Sequence, residues 1–246
     1  MRNLVLADVH SNLEALRAVF QDAEDAGGFD AVWCLGDIVG YGPDPGPCID
    51  LLRAQRIIAV AGNHDLAALD SISLKDFNPM AVEALHWTRE QLSDEQTEWL
   101  STLPRRLEAG LFTLVHGSPR EAVWEYFHPM YTPIEALHDG FSHFSTPYCM
   151  VGHSHVPFIC QEMGPTFVKF PEEEPYALTK KDRLVVNPGG VGQPRDGDPR
   201  ASFVIYDDEA GTLVRRRAAY DVEATQRKMR RAGLSEYLVA RLAYGR

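Results

Sequence analysis

The chain has 246 residues, of which 45% are hydrophobic and 24% charged, and 24 Lys and Arg face 35 Asp and Glu for a formal net charge of −11. That length supports one sizeable core, so residues 1–246 are taken as a single domain. The acidic balance speaks against nonspecific binding of long nucleic acid, and no apolar run approaches a membrane span.

Met1-Arg2-Asn3 runs into a short apolar strand at Leu4–Ala7. This stretch is too short for a signal-peptide core, so a cytoplasmic location is expected. Ser11 and Glu14 form an S-x-x-E capping box that opens a helix. Its residues Leu13, Leu16, Phe20 and Ala23 recur at helical spacing, and Gly27-Gly28 ends it. Ala31–Leu35 and Ile57–Val60 read as the second and third strands. Such alternation of strand and helix calls for parallel strands flanked by helices. Phe77, Ala81, Leu85 and Thr88 mark another helix, and Ser93 caps one that reaches about Leu103. Leu111–Val115 is a strand. Thr132-Pro133-Ile134-Glu135 reads as a second capping box with proline at the first helical position, leading into Leu137, Phe141 and Phe144. Tyr148–Val151 is the next strand. Short strands then follow at Phe158–Gln161, Phe167–Phe170, Leu184–Val186, Ala201–Tyr206 and Thr212–Ala218, and these complete a second sheet. Helical segments at about Val222–Arg231 and Ser235–Ala243 close the chain. Cys34, Cys48, Cys149 and Cys160 stand apart and read as small buried hydrophobes, not as a disulfide framework.

The strand ends carry the chemistry. Leu4–Ala7 runs into Asp8-Val9-His10, and Ala31–Leu35 into Gly36-Asp37. The third strand leads to Gly62-Asn63-His64-Asp65. Leu111–Val115 leads to His116-Gly117, and Tyr148–Val151 to Gly152-His153-Ser154-His155. Sites in open α/β sheets form at the carboxyl ends of strands, so these side chains are expected in one cleft. Mixed imidazole and carboxylate ligands suit Zn, Mn, Fe or Ni better than Ca or Mg. The donors are too many for one ion and fit two. Gly36, Gly62, Gly117 and Gly152 are expected to let the backbone turn tightly there.

This ordered set resembles the calcineurin-like metallophosphoesterase family. The resemblance rests on Asp8-x-His10, Gly36-Asp37, Gly62-Asn63-His64-Asp65, His116 and Gly152-His153-x-His155. It implies a four-layer α-β-β-α sandwich, with two mixed sheets flanked by helices. It further implies one metal held by Asp8, His10 and His155 and a second by Asn63, His116 and His153, with Asp37 bridging. A metal-bridging hydroxide would attack phosphorus in line, and His64 would meet the leaving oxygen. Asp65 would orient His64 or brace its loop. Asn63 would also face the substrate. Arg195, in the glycine-rich turn Asn187–Arg195, would grip a substrate phosphate or lie on the surface. Trp124, Tyr126, Phe127 and Tyr131 would wall a substrate pocket or stack a nucleobase, or else serve as core or an oligomer contact. His86, His128, His138 and His143 lie outside the motifs and read as surface or packing residues.

The chain also departs from relatives of that family. Protein serine/threonine phosphatases continue the second motif as G-D-x-V-D-R-G, whereas this chain has Gly40 and Tyr41 in place of the Asp and Arg. Their third motif ends in Glu, where this chain has Asp65. The reading therefore moves to the small bacterial-type branch and a phosphodiesterase of small phosphorylated substrates. A dinucleoside-polyphosphate hydrolase and a phosphomonoesterase are the alternatives within the enzyme class. A non-catalytic protein-binding scaffold of the same fold is the alternative outside it. The presence of His64 and of every ligand speaks against that last reading.

Overall fold

The alternation in the first strand decides the layering. In β1 (Arg2–Leu6), Leu4 and Leu6 point one way and Val5 the other, followed on Val5's side by Ala7, and all four are buried. A strand buried on both faces must lie between two layers. The computed structural model describes every residue except Gly164, Pro165, Lys169 and Lys180. In it β1 sits inside a mixed sheet with β2 (Ala31–Cys34), β3 (Ile57–Ala59), β9 (Pro175–Ala177), β11 (Ala201–Asp207) and β12 (Thr212–Ala218). The order is β3-β2-β1-β11-β12-β9. β1, β2 and β3 run parallel, and β11 lies antiparallel against β1. The second sheet has the order β4-β5-β6-β10-β7-β8, from β4 (Arg106–Ala109), β5 (Phe112–Val115), β6 (Tyr148–Met150), β7 (Phe158–Gln161), β8 (Phe167–Val168) and β10 (Leu184–Asn187). Its central strands β5, β6 and β10 are parallel.

Val5, Ala7 and Leu35 meet Leu114, Met150 and Val186 between the sheets. Leu4 and Leu6 pack outward on Leu16 and Val19 of α1 (Leu13–Asp25). On the far side, Cys149 and Val185 pack on Phe127 and on Leu137 of α6 (Ile134–Gly140). These contacts give the expected four layers. All four cysteines are free and buried. No helix among the described residues is long and apolar enough to cross a membrane.

Several boundaries differ from the sequence reading. The first helix is capped by Asn12, whose side chain accepts from Ala15 N, and not by Ser11. Ser11 has φ +54° and a buried hydroxyl without a partner, so it belongs to the preceding turn. In α6, Pro133 is the cap position and no side chain caps the helix. The Thr132 hydroxyl instead bonds the backbone of Tyr126 and His128. Ser93 does cap α5 (Asp94–Ser101), in a reciprocal box with Gln96. Leu111 falls outside β5, 43% exposed at the turn from β4. Of the strand read at Phe167–Phe170, β8 takes Phe167–Val168, and Lys169 lies outside the described residues. The sequence reading missed α2 (Pro45–Arg53), the short helix at Asn63–Ala68, β4 and β9, and it assigned to the second sheet β11 and β12, which instead extend the first sheet beside β1.

α4 (Pro79–Gln91), α7 (Val222–Arg231) and α8 (Glu236–Arg241) form a separate apolar cluster around Tyr41, through Ala81, Ala84, Met229, Leu238 and Val239. The Thr225 hydroxyl of α7 donates to Asn12 Oδ1 at 3.1 Å, and Asn12 Nδ2 donates to Gly192 O at 2.9 Å. The C-terminal helices are thereby tied to the loops that follow β1 and β10.

Candidate metal centre

Parallel strands deliver their carboxyl ends to one edge, and the loops there supply the site. Asp8 and His10 follow β1, and Asp37 follows β2. Asn63 opens α3 (Asn63–Ala68) just past β3. His116 follows β5, and His153 and His155 follow β6. All seven are buried, so the structure brings together every residue expected to hold metal.

Asp8, His10 and His155 make one donor set and Asp37, His116 and His153 another, and a third group joins His10 and Asp37 to His64. Asp37 Oδ2 lies 3.6 Å from His10 Nε2 and 3.3 Å from His116 Nε2, between the sets. Asn63 Oδ1 is 3.0 Å from His116 Nε2.

Each of the four imidazoles is held by one backbone carbonyl. Nδ1 donates to Val39 O in His10 (3.2 Å), to Leu35 O in His116 (2.8 Å) and to Gln193 O in His155 (2.5 Å). In His153 it is Nε2 that donates, to Trp124 O at 3.0 Å. Such tethers fix tautomer and ring angle and leave the other nitrogen with its lone pair facing inward. These lone pairs crowd one another. His10 Nε2 and His155 Nε2 are 3.2 Å apart, and His116 Nε2 and His153 Nδ1 are 3.1 Å apart. Asp8 Oδ2 is buried without a partner. Acceptors packed this closely need a shared proton or a cation between them, and the mixed N and O set fits divalent metal ions.

The electrostatics agree. Burial pushes the Asp8 carboxyl up to about 7 and holds His10, His153 and His155 well below the ordinary imidazole value. Burial also works against protonation of His116, but the Asp37 carboxylate outweighs it and raises that imidazole to about 9. Burial likewise pushes Asp37 up, yet His116 and His64 hold it well below the usual carboxylate range.

The backbone is as unusual as the side chains. Asp8, His10, Asp37, His153 and His155 all have φ between +46° and +62°. Non-glycine residues seldom adopt this region, and clusters of them mark functional sites. The expected role of Gly62 is revised. It is extended, with φ −90° and ψ 175°, and does not make a tight turn. A Cβ on it would fall onto Asp37 Oδ1 and N, so glycine is needed for close approach. Gly40 has φ +89°, and a Cβ there would strike the His64 ring.

His64 is held differently. Its Nδ1 is buried without a partner, and no carbonyl tethers it. Packing positions the ring, with centroids 4.8 Å from His10, 4.4 Å from Tyr41 and 5.1 Å from Phe77. Burial lowers its pKa to about 4. Asp65 does not orient it. The Asp65 carboxylate accepts from Ile38 N at 2.8 Å, Val39 N at 3.1 Å and Gly62 N at 2.9 Å, bracing the loops after β2 and β3.

A cleft of about 180 Å³ opens over the centre, lined by His64, Asn63, Tyr41, Trp124, Tyr126 and Arg195, among others. Arg195 is its one Arg or Lys among the described residues. The guanidinium donates to Tyr126 Oη at 3.3 Å and to Gln193 Oε1 at 3.0 Å, while its buried Nε has no partner. Among the described residues it makes no ion pair, which leaves its charge available to an anion in the cleft. The aromatic segment divides: Phe127 is core, while Trp124 and Tyr126 wall the cleft. Tyr41, Phe77 and Gln193 were not singled out as site residues, although Tyr41 stands where phosphatases carry an arginine.

Over residues 1–211 the chain matches the calcineurin-like phosphoesterase superfamily domain. It is 36% identical over 247 residues to protein MJ0912 of Methanocaldococcus jannaschii, spanning 98% of this chain and 97% of that one. Among solved structures, a metallophosphoesterase from Sphaerobacter thermophilus is 44% identical, with a TM-score of 0.88 over 100% of this chain and 99% of that one. A symmetrical bis(5'-nucleosyl)-tetraphosphatase from Glaesserella parasuis is 26% identical over 123 residues, 48% of this chain and 44% of that protein.

Proposed function

The chain belongs to the calcineurin-like phosphoesterase superfamily, and on that premise we propose that it is a two-metal phosphodiesterase of small phosphorylated substrates. The observation that carries this reading is Asp37 Oδ2, 3.6 Å from His10 Nε2 in one donor set and 3.3 Å from His116 Nε2 in the other. Asp8, His10 and His155 would hold one ion and Asn63, His116 and His153 the other, with Asp37 placed to serve both. When bound, such an ion pair clamps phosphoryl oxygens and supplies hydroxide at neutral pH.

The protein's own groups do the rest. Arg195, whose guanidinium lines the cleft and makes no ion pair among the described residues, takes a non-bridging phosphate oxygen. His64 meets the departing oxygen. As the P–O bond breaks, charge grows on that oxygen, and the imidazole donates a hydrogen bond or its proton there. Its Nδ1 is buried, so Nε2 is the atom free to do this. Trp124, Tyr126 and Phe77 shield the centre from bulk water, which strengthens each of these interactions.

Charge favours a diester. A monoester dianion brings a second negative charge, and this cleft offers one arginine and no lysine among its described residues. Similarity over about half the chain to a tetraphosphatase supports a second reading, hydrolysis of dinucleoside polyphosphates. The test is hydrolysis of bis(p-nitrophenyl) phosphate, p-nitrophenyl phosphate and diadenosine tetraphosphate with Mn²⁺, with chelator as control. The expected order puts the diester first. Preference for the monoester overturns the reading, and preference for the tetraphosphate replaces it with the second.

A further inference from the structure

We propose that a second cleft beside the metal centre binds the nucleoside arm of a nucleoside phosphodiester. This deepens the phosphodiesterase reading and rests on it. The cleft holds about 500 Å³ and is lined by Tyr126, His128, Met130, Tyr131, Val156 and Arg195, among others. Its size falls in the range of small-molecule sites.

Two residues join it to the metal cleft, because Tyr126 and Arg195 line both. The Tyr126 ring lies 4.1 Å from the ligand His153, and its hydroxyl accepts from Arg195. A phosphate held at Arg195 thus has one ester arm directed along Tyr126 into the second cleft.

The walls there are built for a flat, uncharged group. Tyr131 stacks on His128 with centroids 4.5 Å apart and planes 22° from parallel. Tyr131 is 75% exposed and Met130 78%. Hydrogen bonds hold the backbone of this platform together. His128 Nδ1 accepts from Met130 N at 3.1 Å, and the Thr132 hydroxyl bridges the backbones of His128 and Tyr126. Aromatic surface left open to water on a fixed loop suits a stacking partner, and every nucleobase offers a π face. The charges argue against a polyphosphate arm. Arg195 is the lone cation among the lining residues described, and Asp196 at the same edge is already ion-paired with Arg217. With that pair closed, Arg195 alone is left to attract phosphate, and the second carboxylate oxygen of Asp196 can accept from a ribose hydroxyl.

The test compares kcat/KM for thymidine 5'-(p-nitrophenyl phosphate) and methyl p-nitrophenyl phosphate. Wild type is expected to prefer the nucleoside ester. Tyr131→Ala is expected to cut that preference about tenfold, the loss of one stacking contact, and Tyr131→Phe to retain it. No preference in wild type, or the same preference in Tyr131→Ala, overturns the proposal. Equilibrium binding of 5'-AMP to the metal-loaded protein separates this from failure of the enzyme reading. If neither ester turns over but 5'-AMP binding weakens about tenfold in Tyr131→Ala, the subsite stands and the phosphodiesterase reading falls. If 5'-AMP binds equally to both proteins, or to neither, the subsite falls.

Discussion

His116 Nδ1 donates to the carbonyl oxygen of Leu35 at 2.8 Å, joining the end of β5 in one sheet to the end of β2 in the other. One imidazole therefore stitches the two sheets and aims its remaining nitrogen at Asp37 and Asn63. His116→Ala removes a proposed ligand and strips that donor from a buried carbonyl, at a cost of roughly 1–3 kcal/mol. Mn²⁺ at about 100 times its Kd is expected to stabilise wild type by about 2.7 kcal/mol and the variant by clearly less. Thermal melts with and without metal read this directly. An equal gain in both proteins would show that His116 does not bind the ion.

Metal uptake is expected to release protons. Without metal, Asp8 is raised to about 7 by burial and His116 to about 9, where the Asp37 carboxylate overcomes burial. Ligation needs the carboxylate ionised and the imidazole neutral. Below pH 7 both groups lose a proton on binding, and between 7 and 9 His116 alone does. Affinity should therefore rise with pH up to about 9, and most steeply below 7. Calorimetry at pH 7.5 in buffers of different ionisation enthalpy counts the protons, and a count of zero contradicts the assignment.

If His64 serves the leaving oxygen, its removal should matter most when that oxygen leaves badly. His64→Ala is expected to lower kcat for an alkyl diester by about 10²–10⁴-fold, and much less for p-nitrophenyl esters, whose anion needs little help. Burial lowers the His64 pKa to about 4, so the ring is uncharged from pH 5 upward and serves as a hydrogen-bond donor, and the wild-type rate should show no limb between pH 5 and 8 that disappears in His64→Ala. A uniform loss across leaving groups would leave His64 with a packing role only.

Asp65 gives the opposite signature. Asn in its place keeps one acceptor oxygen and loses the other, so at least one of the three amides from Ile38, Val39 and Gly62 goes unpaired. Asp65→Asn is expected to cost roughly 1–3 kcal/mol of stability. Its pH–rate profile should keep the wild-type shape. A shifted profile in the folded variant would give Asp65 a part in proton transfer.

The strands and the candidate donor set were legible because the chemistry is written in side chains. Asp, His and Asn directly after apolar runs such as Leu4–Ala7 announce themselves, and parallel strands gather them. What fixes the ligands was not legible. The tethers to Val39, Leu35, Gln193 and Trp124 are backbone carbonyls, which every residue carries. The choice between Ser11 and Asn12 as cap turned on a left-handed φ at Ser11 that its residue type does not reveal. α2 carried a usable signal, with Asp44 before Pro45 and apolar Cys48, Ile49 and Leu52 behind it. β4 and β9 span four and three residues, too few for the alternation in Arg106-Leu107-Glu108-Ala109 or the one half-buried residue Tyr176 to stand out.

The left-handed backbone at Asp8, His10, Asp37, His153 and His155 bears on transplantation. A designer who grafts only the seven candidate donor side chains onto another sheet copies identities without the angles that aim them. Asp tolerates that conformation better than most residues, and a β-branched replacement such as Val would meet steric strain before any loss of metal. The portable unit is the loop with its dihedrals, together with glycines such as Gly62 that let neighbouring loops close.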